Sequence, residues 1–198
     1  LTSEKQPPGK NAVPKGRTGL YYQENTEKDG PMALKENLIR SIKKAMQGEM
    51  DSVTLYQGAA NHASDPEVKD FFHQRGEEER AHYNYLLKYY QEISHDLQPS
   101  DLSQELGSLK NLNPIISEGF LRRIGEDQYL FSAISTALLL EKDAIEHYRR
   151  SGEEADNLTL KSFYSILEQW EMKHYDDLLK IQRDAEEYYW QLNQFQPF

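Results

Sequence analysis

Six residues of this chain recur as two sets of three with one internal spacing. Glu49 is followed 30 positions later by Glu79, which opens a Glu-x-x-His ending at His82; Glu141 is followed 30 positions later by Glu171 and His174 in the same pattern. Each leading Glu also has a tyrosine seven residues on, Tyr56 and Tyr148. At an offset of 92, residues 49–88 overlay residues 141–180 without a gap. Besides the pairs already named, Asp51/Asp143, Ala63/Ala155, Lys69/Lys161, Phe71/Phe163, Tyr83/Tyr175 and Leu86-Leu87-Lys88 against Leu178-Leu179-Lys180 are identical. Self-similarity at a fixed offset reports a repeated structural unit.

The unit reads as a helical hairpin. From about Met32, the residues Leu38, Ile42, Ala45, Glu49, Ser52 and Tyr56 fall in steps of three or four, the helical period. Ser64-Asp65-Pro66 breaks it, with Asp65 as N-cap and Pro66 at the first helical position. A second helix runs to about Ser94 through Phe72, Glu79, His82, Leu86, Tyr89 and Ile93. A third spans roughly Glu126–Ser151, with Leu130, Ile134, Ala137, Glu141 and Tyr148 on one face. Asp156-Asn157 makes the second turn, and a fourth helix extends from Leu158 to Gln191.

Pro99, Gly107, Pro114, Gly119 and Gly125 punctuate residues 95–125, which predicts a long crossover with a short helix near Ile115–Arg123. Residues 1–31 carry four prolines and four glycines and keep no helical period. They read as an irregular arm that either docks Leu20, Tyr21 and Tyr22 on the bundle or a second subunit, or stays disordered. The expected architecture is therefore all-α: a four-helix bundle over 32–191, made of hairpins 32–94 and 126–191, with a tail at 192–198.

The spacing then makes a site. Ser64 is the midpoint of Glu49 and Glu79, and Asp156 is the midpoint of Glu141 and Glu171. In each antiparallel hairpin the two Glu stand level, roughly 22 Å from the turn at about 1.5 Å per residue. Glu and His three apart project from one helix face. Side by side, the hairpins bring four carboxylates and two imidazoles together in mid-bundle, which is how bundles build two-metal sites. Four close carboxylates cannot all stay ionised unaided, and two divalent cations balance them. Oxygen-rich donors with two imidazoles suit iron or manganese, and zinc could occupy the same site. Tyr56 and Tyr148 are placed to hydrogen-bond the carboxylates from behind.

Other polar residues read more plainly. Glu77 and Glu78 are expected to be solvated charges beside Glu79. His62, His73, His95 and His147 lack the pattern and read as surface or satisfied histidines. Tyr188-Tyr189-Trp190, with Phe195 and Phe198, reads as packing, with an oligomer contact as the alternative. The net charge of −10 argues against nucleic acid or an anionic membrane as partner. No apolar run approaches the roughly 18 residues of a membrane span. There is no cysteine, which excludes thiolate metal sites from these residues and fits a reducing cytoplasm.

The pattern Glu…Glu-x-x-His…Glu…Glu-x-x-His over residues 32–190 resembles the ferritin-like superfamily, and most of all its rubrerythrin-type members. The resemblance implies a di-iron carboxylate protein in which Glu49 and His82 serve one metal, Glu141 and His174 the other, and Glu79 and Glu171 bridge both. It implies an oxidoreductase acting on peroxide or dioxygen, with Tyr56 and Tyr148 orienting ligands and passing protons, and a homodimer as the assembly. Two departures are visible. Full-length rubrerythrins carry a cysteine-rich rubredoxin domain, so here the electrons are expected from an external donor. Rubrerythrins also carry a further Glu three residues after the third-helix ligand, where this chain has Ala144. The remaining expectations are a ferroxidase or iron-handling protein, a bundle with a purely structural metal, and a substrate oxygenase.

Overall fold

The break at Ser64 falls where the pattern places it. The computed structural model describes residues 31–97, 100, 116–156 and 158–192. Helix α1, Pro31–His62, turns through three residues into α2, Pro66–Ser94. Asp65 caps α2 by accepting from the amides of Glu67 and Val68 at 3.0 and 3.2 Å, and Pro66 stands at the first turn, where no amide donor is needed. The second hairpin is α4, Gln128–Glu154, and α5, Leu158–Leu192. Its turn includes Asp156; Asn157 lies outside the described residues, as do the arm over 1–30, most of the crossover and residues 193–198.

A short helix, α3, Glu118–Glu126, precedes α4. It begins and ends three residues later than the glycines and prolines suggest, because polar caps and not punctuation set its limits. Ser117 accepts from the Phe120 amide at 3.0 Å to start α3, and Asp127 accepts from Tyr129 and Leu130 to start α4. Helix α4 consequently begins at Gln128 and not Glu126, while Gly119 and Gly125 lie inside α3. Both caps also tie the junction to the first hairpin. Ser117 Oγ donates to Glu67 at 2.6 Å, and Asp127 pairs with His62 at 2.9 Å.

The core comes as two apolar clusters. One gathers the first hairpin's turn (Ala59, Ala63, Val68, Phe72), α3 (Phe120, Ile124) and the open end of the second hairpin (Leu130, Ile134, Ile181, Ala185). The other gathers the second hairpin's turn (Leu160, Phe163, Tyr164, Leu167) and the open end of the first (Ile42, Leu86, Tyr89, Ile93). The hairpins therefore lie antiparallel, each turn capping the other's open end. The connection from Ser94 to Glu118 must carry the chain back along a bundle about 40 Å long, which is why it is a crossover and not a tight turn. Full burial of side chains such as Phe72, Ile42, Leu86 and Ile134 contributes roughly 1.5–3 kcal/mol each. That is the stabilisation against which a polar layer between the two clusters has to be set.

Two glycines give the packing a direct test. A Cβ on Gly125 would lie 2.6 Å from the Ala185 carbonyl oxygen, so only glycine lets α3 approach α5 this closely. Gly48, within α1, would meet nothing within 4 Å. In urea denaturation Gly125→Ala is expected to cost about 1–3 kcal/mol by overpacking. Gly48→Ala is expected to be neutral or stabilising by up to about 1 kcal/mol through the helix propensity of alanine.

Candidate metal centre

Between the two apolar clusters lies a polar layer drawn from all four long helices. Helices α1 and α4 supply Glu49 and Glu141; α2 supplies Glu79 and His82; α5 supplies Glu171 and His174. All six are at most 2% exposed. Their donor atoms fall into two sets, each within 4.8 Å: Glu49, Glu79, His82 and Glu171, and then Glu79, Glu141, Glu171 and His174. Glu79 and Glu171 are common to both, and the sequence repeat appears as a pseudo-twofold arrangement. His82 Nδ1 lies 2.9 Å from Glu171, 3.2 Å from Glu79 and 3.6 Å from Glu49. His174 Nδ1 lies 3.0 Å from Glu79, 3.4 Å from Glu171 and 4.0 Å from Glu141.

Proximity here is not satisfaction. Glu79 Oε1, both Glu171 carboxylate oxygens and His174 Nδ1 are buried without a hydrogen-bond partner. A buried polar atom left unpaired costs roughly 1–3 kcal/mol, and more when charged. Lone pairs that converge on shared space without bonding one another are what cations satisfy. The donor set, four carboxylates and two imidazoles, fits two divalent ions of the harder first-row kind.

Without cations, protons have to balance the charge. Burial, reinforced by the Glu171 charge, pushes Glu49 up from 4.5 to about 8. Burial, with Glu79 and Glu171, also raises Glu141 well above the ordinary carboxylate range. Burial would lift Glu79 and Glu171 as well, but the two histidines outweigh it, holding Glu79 near 2 and Glu171 low. Burial disfavours the charged form of both histidines. The carboxylates prevail, Glu171 foremost at His82 and Glu79 foremost at His174, and raise both well above 6.5. In the metal-free cluster protons are thus favoured on Glu49, Glu141 and both imidazoles and disfavoured on Glu79 and Glu171, which draws the layer toward neutrality. Two divalent cations neutralise the same six residues by displacing four protons.

Around this layer, each tyrosine serves the opposite hairpin. Tyr56 donates to Glu141 at 2.6 Å, and Tyr148 donates to Glu49. Burial, and then the neighbouring carboxylate, keeps both hydroxyls protonated well above 10, so they remain donors. Glu77 is solvent-exposed as expected, but Glu78 is not the solvated charge its neighbour is. It stands 3.4 Å from His174 Nε2 and accepts from Arg75 at 2.9 Å, while Arg75 also donates to Asp177 at 2.7 Å. Trp170 packs its ring 4.8 Å from that of His82. These partners escape a search for repeated residues because the overlay pairs Arg75 with Leu167 and Glu78 with Trp170. The visible signal was an Arg–Glu pair three apart in one copy alone.

The remaining histidines are satisfied or exposed: His62 on Asp127, His95 on the Gln91 carbonyl, His147 on the Ser41 carbonyl, and His73 at the surface. Tyr188 is half-buried against the core and Tyr189 is exposed; Phe195 and Phe198 lie outside the described residues. No described helix is long and apolar enough to cross a membrane.

A cleft of about 230 Å³ between α1 and α4 reaches all four carboxylates. Ala45, Gly48, Ser52 and Ala144 line it, so small side chains keep the helices from closing over the centre. Ala144 stands where a longer side chain would project into that space.

The electrostatics generate two expectations. Loading two divalent cations at neutral pH should release close to four protons, measurable by pH-stat or by calorimetry in buffers of different ionisation heat. A metal-free protein should lose stability as pH rises from 4.5 to about 8, because the folded state keeps the Glu49 proton after the unfolded chain has lost it. The raised histidines act in the same direction, their contribution being complete below 6.5 and lost above it. Glu49→Gln should reduce the fall in melting temperature across that window, leaving the part due to Glu141 and the histidines.

Searches of curated proteins and of solved structures found no match. A family model described as rubrerythrin matches residues 36–182, from the first helix through most of the last and across every residue of the polar layer. The chain therefore belongs to the rubrerythrin family.

Proposed function

We propose that this protein is a di-iron oxidoreductase that reduces hydrogen peroxide, or dioxygen, with electrons from an external donor. The observation that carries the reading is the cleft: buried carboxylates, some with no hydrogen-bond partner, are reached by an opening between α1 and α4 whose lining includes Ala45, Gly48, Ser52 and Ala144. Metal sites that only hold a fold together are closed by protein ligands, whereas sites that turn over substrate keep a position accessible.

In this reading Glu49 and His82 would hold one iron and Glu141 and His174 the other, with Glu79 and Glu171 available to both. Manganese is the nearest alternative for the same donors, and zinc could enter without redox capacity. Bound iron supplies the two electrons and the Lewis acidity that the protein's own side chains lack. The residues do the rest. Tyr56 and Tyr148 keep Glu141 and Glu49 oriented, and each hydroxyl, held protonated, passes a proton on only as it takes up another. The small cleft residues Ala45, Gly48, Ser52 and Ala144 leave room for peroxide to reach the carboxylates. Hydrogen peroxide, two electrons and two protons give two waters. These 198 residues contain no cysteine, so the electrons reach the centre from a redox group outside them. A reducing cytoplasm is the compartment this chemistry suits.

Protein reconstituted with two ferrous ions per chain is expected to consume one peroxide per pair of irons oxidised, faster than free ferrous iron at the same concentration. The Glu79→Ala, Glu171→Ala double variant should lose both the iron and the turnover. Rates no greater than those of free iron would refute peroxide reduction. Ala144→Phe should keep the metal while slowing peroxide consumption at least about tenfold, a barrier increase of about 1.4 kcal/mol, by filling the cleft.

A further inference from the structure

The repeat makes the two halves of the centre nearly interchangeable, and one set of positions breaks the interchange. Behind His174 lies a polar network. Glu78 Oε2 stands 3.4 Å from the ring's outer nitrogen, Arg75 donates to Glu78, and Arg75 is held in turn by Asp177. Arg75 is only 3% exposed. At the corresponding positions behind His82 the repeat supplies Trp170, Leu167 and Tyr85. The Trp170 ring lies tilted by 30° on that of His82, a contact that packs the imidazole without offering it a carboxylate.

We propose that Glu78 makes the His174 side of the centre the tighter metal position, so that the two metals load unequally and in order. The proposal rests on the two-metal reading above. Its first ground is the ion-pair contact: a carboxylate 3.4 Å from the outer nitrogen favours a proton there, which leaves Nδ1 facing inward as the ligand atom and raises its basicity. Its second is charge. Glu78 and Asp177 with Arg75 leave one net negative charge behind His174, while Trp170, Leu167 and Tyr85 leave none behind His82. In a layer this deeply buried, one uncompensated charge favours a cation at the nearer position. Glu78 is a positioning residue: it touches neither substrate nor metal and acts through His174.

The test is titration of the metal-free protein with cobalt(II), followed by calorimetry and by the visible bands that report cobalt geometry. Wild type is expected to take up two cobalt ions in two steps whose Kd values differ at least about tenfold. Glu78→Gln should weaken the first step roughly 10–100-fold, the usual effect of losing an outer partner of a metal-bound histidine. It should also change the visible bands of the first equivalent, leave the second step within a few-fold, and keep the stoichiometry at two. Asp177→Asn, at a half-exposed position, should shift the same step in the same direction by less, and serves if Glu78→Gln fails to fold. Two equal steps in wild type, or unchanged first-step affinity and spectrum in the variants, would overturn the inequivalence and leave the two-metal centre standing. Failure of folded wild type to bind two cobalt ions would overturn both.

Discussion

Everything else in this structure answers to the burial of four carboxylates and two imidazoles in one layer of a helical core. Isolated, such groups would cost more than a bundle of this size can offset. Together they neutralise one another, through shared protons in the absence of metal or through two divalent cations in its presence. Three carboxylate oxygens and one imidazole nitrogen have no hydrogen-bond partner even so. The protein retains these unsatisfied atoms where a wholly apolar layer would be more stable, a cost that two divalent cations would offset.

The remaining architecture holds the layer in register. Each hairpin turn lies equally far from its two Glu, so the carboxylates stand level without adjustment of the helices. Because the hairpins run antiparallel, each turn packs against the open end of the other, and the two apolar clusters grip the polar layer from both sides. The tyrosines cross between hairpins, Tyr56 to Glu141 and Tyr148 to Glu49, so neither hairpin completes the layer alone. Two-fold repetition is thus converted into mutual dependence.

Symmetry is broken where chemistry needs direction. The cleft opens on the α1–α4 side, where Gly48 and Ala144 leave space, while α2 and α5 supply the Glu-x-x-His pairs from the other side. The opening and the two imidazoles therefore lie on opposite sides of the layer. Behind the imidazoles, a charged network on one side and an indole on the other make the two halves unlike.

Read alone, the residues disclosed the repeat, the four long helices, the Asp65 cap and all six members of the polar layer, because helical period and ligand spacing are local properties. They also placed Tyr56 and Tyr148 against the carboxylates, though not across the hairpins. What they misjudged depended on distant contacts. Glu78 carries the same local signal as solvent-exposed Glu77, and only the approach of α5 brings His174 and Asp177 to it. The limits of α3 and α4 moved to Ser117 and Asp127 because those caps are also anchored to Glu67 and His62, far away in sequence. The cleft was equally invisible: Ala45, Gly48, Ser52 and Ala144 are ordinary helix residues until α1 and α4 are laid side by side. One-dimensional periodicity determines which face of a helix turns inward, but what meets that face, and what space is left there, is decided only when the hairpins pack.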